Sequence, residues 1–445
     1  MIKKNLLAAM AIVFTMGMTM TSFAAGGWAQ DNGGWRHYDA NGQAEANVWR
    51  KGNDDKWRYV DYNGYMAVST WIDEIYYVND EGIMLADTWQ KFIDGDGEHW
   101  CYFGSSGKKV ESNWKKINDR WYYFDENGYM QTGWILDGMY YCGDDGAMKT
   151  GWQKLLPYDE SSEEMTPGPD TESDDGMYWY YFTSGGKKFV PEGTSSGYIE
   201  KKINSKTYCF NDLGQMQIGW VAVKEDEGIS GYRYYNNDGT IRTGWYSLEP
   251  PTGLSSNYDA DVYWFYFNSQ GIPQADKDGI LTPGDIIKIN GKQYLFDSNG
   301  NPVHGLVKLH AKDDSETYYY YFGTENQCTL QKGKLSVTDE AGSKNTYYFS
   351  TDGKGLTGLK DGYLYYKGLL QTSDTQSRYT AITVTEGNFK GSYLVSTMGK
   401  IVKNKKVKDA DGVSYTMNAS GIITKVDDED VGGRTFNKPT EPYID

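Results

Sequence analysis

Histidine and cysteine occur only four times each in 445 residues, and proline eleven times. Neither a C-x-x-C nor an H-x-x-x-H spacing is present, so the chain has little material for a metal site or a histidine-based triad. This argues against an enzyme: no catalytic residue, metal or cofactor is expected. Basic residues are also short, with 44 Lys and Arg against 61 Asp and Glu and a formal charge of −17. Nucleic acid and anionic membranes recruit basic patches and are excluded as partners, whereas a cationic ligand fits. Leu, Ile and Val are too sparse to furnish a conventional core for a chain of this length.

Long hydrophobic runs are missing after the first 23 residues, and the one that exists has a specific order. Lys3 and Lys4 precede the apolar run Leu6 to Phe14, and Ser22-Phe23-Ala24-Ala25 supplies a small-residue exit. Charged, apolar and small-residue regions in that order read as a secretory signal peptide over residues 1–25. The expectation is a secreted protein at the cell surface or wall with no transmembrane anchor. The four cysteines, Cys101, Cys142, Cys209 and Cys328, are far apart, and three of them replace an aromatic of the repeat described next. They read as small hydrophobes.

What the chain does have is 15 Trp, 39 Tyr, 15 Phe and 53 Gly, arranged periodically. The segment Trp121-Tyr-Tyr-Phe-Asp-Glu-Asn-Gly128-Tyr-Met130-Gln-Thr-Gly-Trp134 recurs with turn glycines at Gly42, Gly64, Gly82, Gly107, Gly128, Gly146, Gly214, Gly239, Gly271 and Gly300. Aromatic runs have high strand propensity, and Asn-Gly dipeptides such as Asn127-Gly128 suit hairpin turns with positive φ at both central positions. Units of about twenty residues that cannot bury their own faces stack on their neighbours. The predicted fold is all-β, a solenoid of stacked β-hairpins with loop insertions and a degenerate β-rich C-terminal region. Its segments are aromatic-rich hairpins over 26–156, an acidic loop over 157–176 and further hairpins with insertions over 177–305. Degenerate hairpins over 306–370 and a C-terminal β-rich region over 371–445 follow.

Alternate strand residues share a face, so Trp121 and Tyr123 point one way while Tyr122 and Phe124 point into the core. Electron-rich ring faces around a small cavity suit a quaternary ammonium, each ring contributing about 0.5–2 kcal/mol. The stretches Gly82 to Trp89, Trp114 to Phe124, Thr132-Gly-Trp134 and Thr150-Gly-Trp152 resemble the choline-binding, or cell wall-binding, repeats of Gram-positive surface proteins, and the resemblance covers residues 26–305. It implies choline of teichoic acids held between successive hairpins. Carried onto this sequence, the sites would be Trp28/Trp35/Tyr59, Trp49/Trp57/Tyr77, Trp89/Trp100/Tyr123, Trp114/Trp121/Tyr141 and a looser Trp220/Tyr232/Tyr266. Ile75 and Met139 replace the second Trp of their junctions, Thr207 and Cys209 both aromatics of theirs, and Gln293 and Leu295 do so near Gly300. Those departures weigh against sites at Trp71, Trp134, Trp152 and Trp245.

A second expectation is recognition of a wall or host glycan. Asp285-Ile-Ile-Lys-Ile-Asn-Gly-Lys-Gln-Tyr and Ile199-Glu-Lys-Lys-Ile-Asn-Ser-Lys are similar to the repeats of glucan-binding glucosyltransferases and large glucosylating toxins. A third is a spacer or adhesin displaying 371–445, with self-association through exposed solenoid ends. Asp94-Gly-Asp-Gly-Glu98 lacks the spacing of a twelve-residue calcium loop.

Overall fold

The structure, a computed structural model, describes residues 26–444 apart from 32, 96, 159–175, 193–196, 225–226, 313–315, 339–342 and 388. The signal-peptide assignment over 1–25 and most of the acidic loop lie outside the described residues. The chain divides into two compact units, one of residues 1–160 with 180–189 and one of 161–179 with 190–445. Among the described residues no helix is long and apolar enough to cross a membrane. Among the described residues helix is confined to short 3-10 turns such as Gly228–Gly231 and Thr252–Asn257.

The predicted solenoid of hairpins is present. In the first unit antiparallel two-stranded hairpins follow one another, among them Val48–Lys51 with Trp57–Val60, Thr88–Asp94 with Gly97–Phe103, and Asn113–Ile117 with Arg120–Phe124. The turns that close them differ from the sequence-based expectation. Asn118 and Asp119 both have positive φ (48° and 65°), as do Asp73-Glu74 and Leu136-Asp137. These two-residue turns, matched to strand twist, join the tryptophan strand to the aromatic run that follows it. At Asn127-Gly128 only the glycine is left-handed (φ 76°). There Asp125 Oδ1 accepts the amides of Asn127 and Tyr129, and Gly128 N–H donates to the Asp125 carbonyl at 3.0 Å. This turn ends in a single bridge, Phe124 to Met130, before the chain leaves for the next hairpin.

The turn glycines also interlock the stack. After several turns the residue two positions on lies beneath the next turn: Met66 under Gly82, Met84 under Gly107, Met130 under Gly146 and Met148 under Gly186. A Cβ on Gly146 would stand 2.2 Å from Met130 Sδ. Gly186, which the repeat reading passed over, belongs to the same series. In the second unit Met216 under Gly239, Ile241 under Gly271, Leu330 under Gly353, Leu370 under Gly399 and Ile401 under Gly421 extend it into the region expected to be degenerate.

Burial follows the alternation. Phe103, Phe124, Phe182, Phe210 and Phe267 are fully buried, and Val60, Val78 and Cys142 fill the same position elsewhere. The cysteines are unbonded and buried, and burial raises the thiols of Cys101 and Cys142 to about 11. Beyond residue 333 wider sheets appear, a five-stranded one from Gly333 to Leu370 and a four-stranded one from Lys406 to Asp430. Packing in this region is more aliphatic, with Leu364 of the five-stranded sheet, Ile382, Val384 and Val395 of the hairpin Tyr379–Val384 with Gly391–Ser396, and Ile401 in one cluster. The two insertions sit inside hairpins: residues 156–177 connect Gly151–Leu155 to Tyr178–Phe182, and 249–262 connect Gly244–Leu248 to Tyr263–Phe267.

Two outcomes are expected. Gly146→Ala and Gly151→Ala share a φ of +72°, but nothing stands within 4 Å of a Cβ at Gly151. Each should lose about 1–2 kcal/mol to the left-handed backbone, and Gly146→Ala about 1 kcal/mol more through displaced Met130, read as a lower urea midpoint that Met130→Ala partly restores. The second concerns Glu45, whose carboxylate accepts from Arg50 Nε at 2.7 Å and contacts His37 Nδ1 at 2.6 Å. Arg50 above all lowers its pKa from 4.5 to about 2. A depressed carboxylate stabilises the fold fully above the unfolded value and loses that contribution as pH falls through the folded one. The Tm advantage of the parent over Glu45→Gln should therefore be constant above pH 4.5 and vanish towards pH 2.

Candidate functional site

Cross-strand pairs share a face, so in the hairpin closed by Asn118-Asp119, Trp114, Lys116, Trp121 and Tyr123 lie together. That face meets the opposite face of the following hairpin. The first-strand tryptophan is therefore enclosed by one ring of its own hairpin and by rings of the next. Trp89 lies 5.2 Å from Tyr102, 5.0 Å from Tyr122 and 5.6 Å from Phe124. Trp49 meets Tyr59 at 5.1 Å and Tyr76 at 5.3 Å, and Trp114 meets Tyr123 at 5.3 Å and Tyr140 at 5.2 Å. Trp220 packs against Tyr234, Phe265 and Phe267 in the second unit. Most of these pairs are edge-on, the arrangement ring quadrupoles favour.

This geometry separates the members of the sequence-derived trios. In each, the third ring packs against the tryptophan of its own hairpin: Tyr59 on Trp49, Tyr77 on Trp71, Tyr123 on Trp114, Tyr141 on Trp134 and Tyr266 on Trp245. The ring that reaches the preceding tryptophan is one residue earlier, at Tyr76, Tyr122, Tyr140 or Phe265. A two-residue period turns neighbouring side chains to opposite faces, so Tyr77 and Tyr123 point away from the junction to which the sequence assigned them. Trp28 packs on His37 at 5.2 Å and donates from Nε1 to the Lys51 carbonyl at 3.2 Å.

The first aromatic of each quartet behaves differently. Trp57, Trp100 and Trp121 in the first unit are 41–42% exposed, as is Trp179 at 42% in the second, where Trp264 reaches 54%. Trp35 is half-buried, and Trp220, at 8%, is closed off beside Tyr232 at 6.3 Å. Trp100 meets Trp89 at 6.4 Å with planes 86° apart, which leaves its own face free of that ring. The carbonyls of five of these tryptophans accept the amide of a methionine from the next hairpin: Met66 to Trp35 at 2.7 Å, and Met84 to Trp57, Met130 to Trp100, Met148 to Trp121 and Met216 to Trp179 at 2.8 Å. An open cavity of about 450 Å³ lies at Trp121 and Met148, rimmed by Lys116, Arg120, Asp145 and Lys149. Arg120 and Lys149 are paired with Asp145 at 3.1 and 3.5 Å.

The sequence therefore pointed to the half-exposed indoles at Trp57, Trp100 and Trp121 and to the methionines two residues after the turn glycines, but not to Trp179 or Trp264. The signal for Trp179 was present, since Trp179-Tyr-Tyr-Phe182 repeats Trp121-Tyr-Tyr-Phe124 letter for letter. It was hidden because the acidic insertion separates it from its partner strand. Burial raises the phenol pKa values of Tyr59 and Tyr102 above their ordinary value, so these walls stay neutral.

Two stretches of the chain match models of known repeats. A model of the choline-binding repeat matches residues 110–152, and one of the cell wall binding repeat matches 287–301. Glucosyltransferase-S of Streptococcus mutans is 25% identical over 366 residues, 75% of this chain. Glucosyltransferase-I of Streptococcus downei is 25% identical over 391 residues, 82% of the chain. The chain spans about a fifth of the length of these relatives (21% of each). Among solved structures, the choline-binding domain of CbpL from Streptococcus pneumoniae is 24% identical, with 48% of this chain and 96% of that one covered and a TM-score of 0.33. CbpJ from the same organism is 20% identical, with 78% and 100% covered and a TM-score of 0.36. The chain is an all-β stack of hairpins in which residues 110–152 match the choline-binding repeat and residues 287–301 the cell wall binding repeat.

Proposed function

We propose that this protein is a non-catalytic, secreted cell-surface protein that holds to the wall by binding choline of teichoic acids at its hairpin junctions. The observation that carries this reading is the row of half-exposed indoles at Trp57, Trp100 and Trp121, each carbonyl joined to a methionine of the next hairpin. A quaternary ammonium cannot donate hydrogen bonds and is weakly hydrated, so ring faces and a thioether suit it better than carboxylates. Each site is assigned to the two tryptophans of one hairpin with the following methionine: Trp28 and Trp35 with Met66, Trp49 and Trp57 with Met84, Trp89 and Trp100 with Met130, Trp114 and Trp121 with Met148. Tyr59 and Tyr123 contribute as the backing of Trp49 and Trp114, whereas Tyr77, Tyr141 and Tyr266 back Trp71, Trp134 and Trp245, and the buried Trp220 beside Tyr232 is left out of the ligand sites. The charge of −17 adds long-range attraction for cations. Residues 1–25 would act as the export signal.

A second reading, wall or host glycan binding, is favoured by the identity with glucosyltransferases and by the repeat over 287–301. There the same indoles would serve as stacking platforms.

Under the choline reading, millimolar choline should elute the protein from a quaternary-amine resin whereas soluble glucan should not; elution by glucan alone would support the second reading. Choline should also protect Trp57, Trp100 and Trp121 from N-bromosuccinimide oxidation, read by peptide mass spectrometry, and leave the rate at Trp264 unchanged. Trp121→Ala should weaken choline binding at its junction by roughly 2- to 30-fold, the value of one ring, while the far-UV spectrum is retained. An unchanged titration would mean that Trp121 only packs.

A further inference from the structure

The residue two positions beyond the turn glycine varies in step with another position. Four junctions of the first unit combine an aromatic carbonyl with a methionine amide: Trp35 with Met66, Trp57 with Met84, Trp100 with Met130 and Trp121 with Met148. The junctions that lack this ring also lack the methionine. Lys109 N–H donates to the Ile75 carbonyl at 2.9 Å, and Lys188 N–H to the Met139 carbonyl at 2.8 Å, through the same backbone bond.

These lysines lie where the methionines lie. The Lys109 stem runs under Gly128 as Met130 runs under Gly146. Its ammonium stands 5.2 Å from the centre of the Trp71 ring, donates to the Asn127 carbonyl at 2.9 Å and faces Glu111 at 3.6 Å, with the side chain 11% exposed. The Lys188 ammonium stands 5.1 Å from Trp134 and 5.5 Å from Tyr180. Trp71 and Trp134 are the first-strand tryptophans of these same two junctions. Burial lowers the Lys188 pKa, in keeping with an ammonium drawn out of water.

We propose that Lys109 and Lys188 are internal occupants of the cation positions at the Trp71 and Trp134 junctions, closing them to an external quaternary ammonium. The inference rests on the choline reading for what the open junctions bind, but the placement of the lysines stands apart from it. A tethered ammonium occupies its ring at a high effective concentration that a free ligand must exceed. Lys51 and Lys91 also approach rings, at 5.5 Å from Trp57 and 6.0 Å from Trp100. They differ because they come from the solvent side of the same hairpin, are 49% and 37% exposed, and pair with the surface carboxylates of Asp55 and Glu98. They can swing away, whereas Lys109 is held by the next turn. These junctions of the first unit are thereby of two kinds: Trp with Met takes ligand, and Ile75 or Met139 with Lys is a clasp.

The test uses the full chain and choline chloride in equilibrium dialysis, with near-UV dichroism to verify folding. Ile75→Trp/Lys109→Met and Met139→Trp/Lys188→Met install residues that the neighbouring junctions already carry, and each should gain one bound equivalent. The converse, Met148→Lys, should lose one. Folded variants with unchanged stoichiometry, or loss of fold in both opening variants, would overturn the proposal. A wild-type chain that binds no choline would instead sink the choline reading. Acylation by an N-hydroxysuccinimide ester then judges the lysines alone: Lys109 and Lys188 should label at least tenfold more slowly than Lys51 and Lys91, and equal rates would overturn the internal-occupant assignment.

Discussion

The architecture of the first unit depends on the packing of a first-strand tryptophan against rings of two successive hairpins. Trp89 shows it most fully, with Tyr102 behind it and Tyr122 and Phe124 in front. A lone two-stranded hairpin is marginal in water; this contact makes each hairpin the missing half of its neighbour's core. Such a layer requires large flat side chains, which explains why the chain carries 69 aromatics drawn from 15 Trp, 39 Tyr and 15 Phe while aliphatics remain scarce. Because the core is shared at every junction, stability spreads along each unit as a series of nearest-neighbour terms.

Any ligand site is built from what this packing leaves over. The quartet Trp121 to Phe124 divides its labour by position: Phe124 is fully buried, Tyr122 and Tyr123 are half-buried, and Trp121 is left 42% exposed. A site of this kind needs no loop or separate domain. Its chemistry draws on ring faces, a thioether and nearby charges.

Much of this was legible in the residues. The period, the strand character of the aromatic runs and the buried phenylalanines follow from spacing and alternation, as do the exposed indoles at Trp57, Trp100 and Trp121. What was not legible was pairing across space. Asn127-Gly128 looks like a hairpin turn, yet Asp125 captures the following amides and the ladder forms across Asn118-Asp119. The same ambiguity shifted the third ring of each trio by one residue, because which face meets the next hairpin depends on how hairpins stack and not on one strand's pattern. The interlock of Leu330, Leu370 and Ile401 beneath Gly353, Gly399 and Gly421 was equally hidden. There the aromatic signature fades while the steric relation persists.

The position of the insertions bears on how such a chain can be lengthened. Residues 249–262 leave from Leu248 and return at Tyr263, two positions that face each other across one hairpin. The register of Trp245 with Tyr266 and its contact with Tyr294 of the next hairpin are undisturbed. Hairpin tips are thus ports at which evolution, or an engineer, can graft a peptide or a small domain without re-registering the layers on either side, whereas a single residue added within a strand would turn the rings beyond it in that strand to the opposite face.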